Sequence, residues 1–341
     1  MSGRKEGDEE EDNLFRKLEI RLNPRLLLHE KISFSRNGHT SCDEKDVEKG
    51  MARLIADEFL TEERDRKYYA DHYRCLPPPL FIIFVTLIEL GFFTYYSLSS
   101  DSADLSTSTS GPLPMDSPFV YRPDKREEVW RFLVYMVLHA GWVHLMFNLL
   151  VQLLVGLPLE MVHGSFRIGA IYMSGVLAGS LATSVFDPDV YLVGASGGVY
   201  ALLAAHLANV LLNYNNMEFG ILRLLGVFLI ASVDVGFAIY DRYAGSSSID
   251  DFESSQPVSY VAHLAGALAG LTIGLVVLKN FEQRLREQCM WWVALSLYAT
   301  CTLFAVLFNL LRPNDGLIGT EFVEVGEPFP HPVENLVNSF N

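Results

Sequence analysis

Seven long blocks of apolar residues, at roughly 80–98, 144–162, 167–186, 197–214, 220–240, 259–278 and 290–311, constrain this chain more than any other feature. Each approaches the roughly 20 residues that a helix needs to cross the hydrocarbon of a bilayer. The apolar residues run continuously through the blocks, whereas a soluble amphipathic helix would confine them to one stripe. In hydrocarbon a segment must satisfy its own backbone N–H and C=O groups, so the blocks are expected to be helices. The chain is therefore read as an all-α, multi-pass membrane protein embedded in a lipid bilayer.

Three regions follow from this division. Residues 1–79 are polar and of mixed charge, and Pro77-Pro78-Pro79 closes them. They are expected to be a partly ordered cytosolic region, with a helix over Val47–Glu63 and without a calcium-loop pattern. Residues 80–311 form the seven-span domain. Within it, 112–143 is rich in Trp, Arg and Pro and too polar to span, so it is expected to lie at the interface as a structured loop. Residues 312–341 form a solvated tail. The Lys and Arg residues near the span ends set the orientation. Arg64, Arg66, Lys67 and Arg74 precede the first block, Arg167 and Arg223 follow the second and fourth, and Lys279, Arg284 and Arg286 follow the sixth. These share one side if the N-terminus is cytosolic. The C-terminus then lies in the lumen or outside the cell. The acidic first dozen residues contain no cleavable signal.

The formal net charge of −15 excludes the concentrated basic face that nucleic acid requires. The four cysteines, Cys42, Cys75, Cys289 and Cys301, are not spaced as CxxC, so neither a zinc site nor a disulfide framework is indicated. No HExxH occurs, since His29-Glu30 is followed by Lys31-Ile32-Ser33, and there is no GxGD.

With this topology, blocks two, four and six all begin on the same, outer side. His144 and Asn148 begin the second block, Ser196 the fourth, and His263 lies near the start of the sixth. All four thus fall at one shallow depth. Ser196 sits in Gly194-Ala195-Ser196-Gly197-Gly198-Val199-Tyr200. A helix start leaves backbone N–H groups without intrahelical partners and carries the positive end of the helix dipole, which suits an oxyanion. Alone, however, this pattern reads equally well as a serine N-cap beside packing glycines. His263 adds a base that titrates near neutral pH, as a serine nucleophile needs. It could also be a histidine hydrogen-bonded within the bundle. Gly266, Gly270 and Gly274 follow it four apart, a face that lets two helices pack closely. The fourth block offers Gly198, Ala201, Ala204 and Ala205 in return. His144 and Asn148 share one helix face. They could donate hydrogen bonds to a developing negative charge, or simply join helices. Tyr200, one turn beyond Ser196, either stacks on His263 or fills the core. Two intramembrane acids, Glu89 and Asp234, read best as groups hydrogen-bonded within the bundle, with Asp234 also weighed as an acid orienting His263.

Taken together, these residues resemble the rhomboid intramembrane proteases. The resemblance is carried by Trp130-Arg131, His144-x-x-x-Asn148, Gly194-Ala195-Ser196-Gly197 with Tyr200, and His263-x-x-Gly266-x-x-x-Gly270, in this order over blocks two, four and six. It extends over about 80–311. The seventh block after a six-helix core, the long N-terminal region, Ser117-Pro118-Phe119 and Phe186-Asp187-Pro188 are similar to the animal secretase-type branch. The resemblance implies a serine endopeptidase with a Ser196–His263 dyad and neither cofactor nor metal. Asn148, His144 and the Ser196 N–H would form the oxyanion hole, with Tyr200, Gly194 and Gly266 supporting the site. Trp130 and Arg131 would belong to the interfacial loop, Glu160 would be a structural polar partner, and His139 would fix a loop. The expected substrates are single-span membrane proteins, EGF-like growth-factor precursors among them, cleaved in the secretory pathway (Golgi or plasma membrane). The alternatives are a catalytically silent rhomboid-like trafficking protein and a small transporter. A transporter should show paired repeats or broken midplane helices, and neither is visible.

Overall fold

The computed structural model describes residues 43–60, 63–72, 78–99, 116–213, 220–244, 259–278 and 289–312. The expectations for residues 1–42, Cys42, Cys75, most of the 241–258 loop and the tail beyond Arg312 lie outside them. The chain divides into two units, Met1–Leu54 and Ile55–Asn341. Helix α1, Asp43–Phe59, crosses that boundary, and α2 spans Glu63–His72.

Seven apolar helices make up most of the second unit: α3 (Leu80–Ser99), α5 (Gly141–His163), α6 (Ser165–Phe186), α7 (Ser196–Asn213), α8 (Gly220–Ala244), α9 (Tyr260–Val277) and α10 (Cys289–Leu311). A short helix, α4 (Arg131–Val134), lies between α3 and α5. Among the described residues, α3, α5, α6, α9 and α10 are long and apolar enough to cross a membrane. The apolar stretch of α7, Ser196–Leu211, is shorter. The only β pairing among the described residues is one isolated antiparallel bridge, Tyr121 to Leu192. The fold is thus all-α, as the apolar blocks predict.

Helices α6, α7 and α9 pack on one another as a triad. Small residues make this possible. A methyl group added at Gly266, Gly270 or Gly274 of α9 would meet Gly197, Ala201 or Ala205 of α7, respectively. The contact climbs both helices in steps of four, so α7 and α9 run parallel with their backbones touching. Gly175 of α6 closes on two of the same α7 residues, Ala201 and Gly197. The glycine face predicted for α9 is used, although its topmost partner is Gly197 instead of Gly198, which packs on the Tyr172 ring.

Buried polar groups tie the remaining helices together. Glu160, near the end of α5, accepts the N–H groups of Phe81 (2.7 Å) and Ile82 (2.8 Å) with its two carboxylate oxygens. It therefore caps α3, whose first N–H groups have no partner in their own helix. Glu89 is fully buried and accepts hydrogen bonds from Tyr172 O–H (3.1 Å) and Gln152 Nε2 (3.1 Å). The Gln152 amide also donates to Thr86 Oγ1 (2.8 Å). This network joins α3, α5 and α6. Helix α5 widens into a π turn over Gln152–Gly156. Pro158, two residues beyond, lacks an N–H and would clash with the carbonyl four residues earlier, which accounts for the irregular turn.

At the end of the bundle remote from Ser196, Asn209 Nδ2 donates to the Phe59 carbonyl (3.0 Å) and Tyr69 O–H to the Met161 carbonyl (3.2 Å). Helix α10 packs on α6 and α9. Tyr298 O–H bonds the Ser174 carbonyl (3.2 Å), and Asn309 Nδ2 bonds Ser184 Oγ (2.7 Å).

Candidate active site

Gly194 has φ +107°, a conformation that residues with a Cβ rarely adopt. A Cβ there would also lie 2.5 Å from Cε1 of His144, so the glycine lets the His144 ring lie directly over the turn that leads into α7. The turn is held from both sides. The Gly194 N–H donates to the Tyr135 carbonyl (3.2 Å), and the Ala195 N–H to His139 Nε2 (3.4 Å). The His139 and His144 rings meet edge to face at 5.2 Å. Helix α7 then begins, with Gly198 and Val199 donating to the Ala195 carbonyl. The N–H groups of Ser196 and Gly197, at its opening, have no intrahelical acceptor. Ser196 itself is 8% exposed.

His263 stands in the first turn of α9. The Ser259 hydroxyl caps this helix by accepting the Ala262 N–H (3.2 Å) and bonds Thr183 of α6 (3.0 Å). The His263 ring is buried and lies flat on Tyr200. Gly266 is level with Gly197, and His263 lies three residues before Gly266 whereas Ser196 lies one before Gly197. His263 therefore stands two residues outward of Ser196, or about 3 Å along the helix axis. Ser196 and His263 thus share one end of the α7–α9 contact. They do not hydrogen-bond in this structure. Among the described residues, neither imidazole nitrogen has a hydrogen-bond partner.

Asp234 of α8 reaches the same place. Its Oδ2 accepts the Tyr200 O–H at 2.8 Å and lies 3.5 Å from His263 Nδ1.

Asn148 is buried one turn beyond His144 and donates one amide hydrogen to the His144 carbonyl (2.8 Å). Its second hydrogen remains available to another acceptor. Arg131 and Trp130, adjacent in sequence, have opposite surroundings. Arg131 is 3% exposed and Trp130 50%. The Arg131 guanidinium donates to the carbonyls of Ser117 (2.9 Å) and Val120 (2.6 Å) and to Glu128 (2.7 Å). Val120 leads into Tyr121, which bridges Leu192 just ahead of Gly194. Arg131 therefore braces the loop that supports the Ser196 turn. Tyr135 was not legible as part of the site. Its carbonyl holds Gly194, its O–H donates to the Val176 carbonyl (2.8 Å), and nothing in its sequence surroundings marks either contact.

Among the described residues, no group of His, Cys, Asp and Glu could hold a metal ion. Cys289 and Cys301 are free thiols on the exposed side of α10.

A family model described as the Rhomboid domain matches residues 126–280. The chain is 46% identical to rhomboid-related protein 2 of Mus musculus over 258 residues, which cover 75% of this chain and 83% of that protein. It is 45% identical to rhomboid-related protein 3 of Homo sapiens over 262 residues, 76% of this chain and 63% of that one. A protein of Caenorhabditis elegans named inactive rhomboid-related protein 2 is 34% identical over 225 residues, 66% of this chain and 62% of that one.

Proposed function

This chain belongs to the rhomboid family, and on that premise we propose that it is an intramembrane serine endopeptidase in which Ser196 is the nucleophile and His263 the base. The carrying observation is the glycine-to-backbone contact of α9 on α7, which puts Ser196 and His263 at one end of two parallel helices beside the Tyr200 ring. His263 Nε2 takes the proton of Ser196 Oγ as the oxygen attacks the substrate carbonyl. The negative charge that forms on the substrate's carbonyl oxygen meets the Ser196 N–H, His144 and the second amide hydrogen of Asn148. The proton then passes from His263 to the leaving amine, giving an acyl-enzyme. Water, deprotonated by His263, hydrolyses it. A catalytic pair need not be hydrogen-bonded in advance, since such contacts tighten when substrate binds.

The substrates are single-span membrane proteins whose helix unwinds near the outer face of the bilayer, because an intact membrane helix hides its peptide bonds. The basic residues near the span ends support a cytosolic N-terminus. This puts the Ser196 end toward the lumen or cell exterior and makes ectodomain release the outcome. The secretase-type resemblance supports EGF-like growth-factor precursors as substrates and the secretory pathway as the location.

The second reading is a catalytically silent trafficking protein, favoured by the worm relative whose name marks it inactive. Both Ser196 and His263 are present here, which supports the enzyme. Co-expression of a labelled single-span EGF-like precursor with wild type, Ser196→Ala and His263→Ala separates the readings. A protease releases the labelled ectodomain into the medium only as wild type. Equal release from all three refutes it.

A further inference from the structure

We infer that Asp234 is a positioning residue for His263, making the dyad in effect a His263 base steered by an acid from a third helix. The inference rests on the reading of Ser196 and His263 as nucleophile and base. Three helices converge on one small volume. Tyr200 of α7 and His263 of α9 stack, and Asp234 of α8 closes the group with one carboxylate oxygen, 2.8 Å from Tyr200 Oη and 3.5 Å from His263 Nδ1. Asp234 is far from both partners in sequence and is brought to them by the packing of α8 on α7.

The chemistry follows from the two nitrogens of imidazole. A neutral histidine carries its proton on one and a lone pair on the other. A carboxylate 3.5 Å from Nδ1 favours the tautomer with the proton there and leaves the lone pair on Nε2, the atom a base needs. It also offsets the positive charge that His263 acquires on taking the Ser196 proton. Tyr200 then has two roles. Its ring fixes the plane of the imidazole, and its O–H holds the carboxylate beside Nδ1. The competing account makes Asp234 only a hydrogen-bond acceptor for Tyr200.

Asparagine distinguishes the two. Asp234→Asn keeps an oxygen that can accept from Tyr200 and removes the charge. Purified wild type, Asp234→Asn, Asp234→Glu and Ser196→Ala are assayed on one single-span substrate, with kcat and KM measured separately and folding followed by thermal unfolding. Positioning predicts that Asp234→Asn loses at least about tenfold in kcat with KM within about twofold and unfolding unchanged. It also predicts that Asp234→Glu, longer but charged, retains more kcat than the asparagine variant. Wild-type kcat in Asp234→Asn overturns the inference, as does a loss confined to KM. If Asp234→Asn unfolds, the glutamate variant decides, and a folded Asp234→Glu without measurable kcat overturns the inference. Turnover by Ser196→Ala at the wild-type rate would instead defeat the serine-protease reading on which all of this stands.

Discussion

The imidazole of His263 lies parallel to the phenol ring of Tyr200, with centroids 4.4 Å and planes 15° apart. The two side chains come from different helices, so the stack fixes the orientation of His263 only while α7 and α9 keep their register. Aromatic stacking of this kind contributes about 0.5–1.5 kcal/mol. Tyr200→Phe keeps the ring but releases the Asp234 carboxylate, and should lose part of the activity. Tyr200→Ala frees the imidazole and should slow substrate cleavage more than Tyr200→Phe does. Equal rates in the two variants would show that the stack does not hold the base.

The α7–α9 contact makes a second prediction. Gly266→Ala and Gly270→Ala each drive a methyl group into the α7 backbone. Overpacking of a close contact costs about 1–3 kcal/mol. Both variants should unfold at lower temperature in detergent and lose activity. Gly226→Ala, where nothing lies within 4 Å, serves as the control and should match wild type.

Much of this contact was legible, since three glycines four apart announce a close helix face. The apolar helices were also legible, because hydropathy reads an uninterrupted apolar run directly. The block at 290–311 became Cys289–Leu311, and that at 167–186 became Ser165–Phe186. The helix expected over Val47–Glu63 runs from Asp43 to Phe59. Less legible was whatever depends on packing between distant segments. The π turn over Gln152–Gly156 had no pattern of its own. The grip of Tyr135 on Gly194 uses a backbone carbonyl, which any residue possesses. Asp234 was visible as an intramembrane acid, but its distance from His263 depends on how α8 lies against α7.

Glu160 caps α3 from another helix, so its loss should be felt in stability before chemistry. Hydrogen bonds to a charged group contribute about 1.5–3 kcal/mol each. Glu160→Ala removes both and should lower the unfolding temperature clearly, with Glu160→Gln in between because its amide oxygen still accepts one N–H. A Glu160→Ala protein as heat-resistant as wild type would contradict the capping role.

Arg131 braces the 117–121 segment through two carbonyls and Glu128. Lysine preserves the charge but not the planar fork that reaches several acceptors at once. Arg131→Lys should therefore expose this segment to limited proteolysis and reduce cleavage of substrate. Unchanged proteolysis would separate Arg131 from the support of the Ser196 turn.

The joint action of Ser196 and His263 is tested most directly by covalent capture. Purified wild-type and His263→Ala proteins are treated with a fluorophosphonate probe, and the adduct is located by tandem mass spectrometry. The account predicts an adduct on Ser196 in wild type and its near absence in His263→Ala. An adduct elsewhere, or equally rapid labelling of Ser196 without the imidazole, would contradict it.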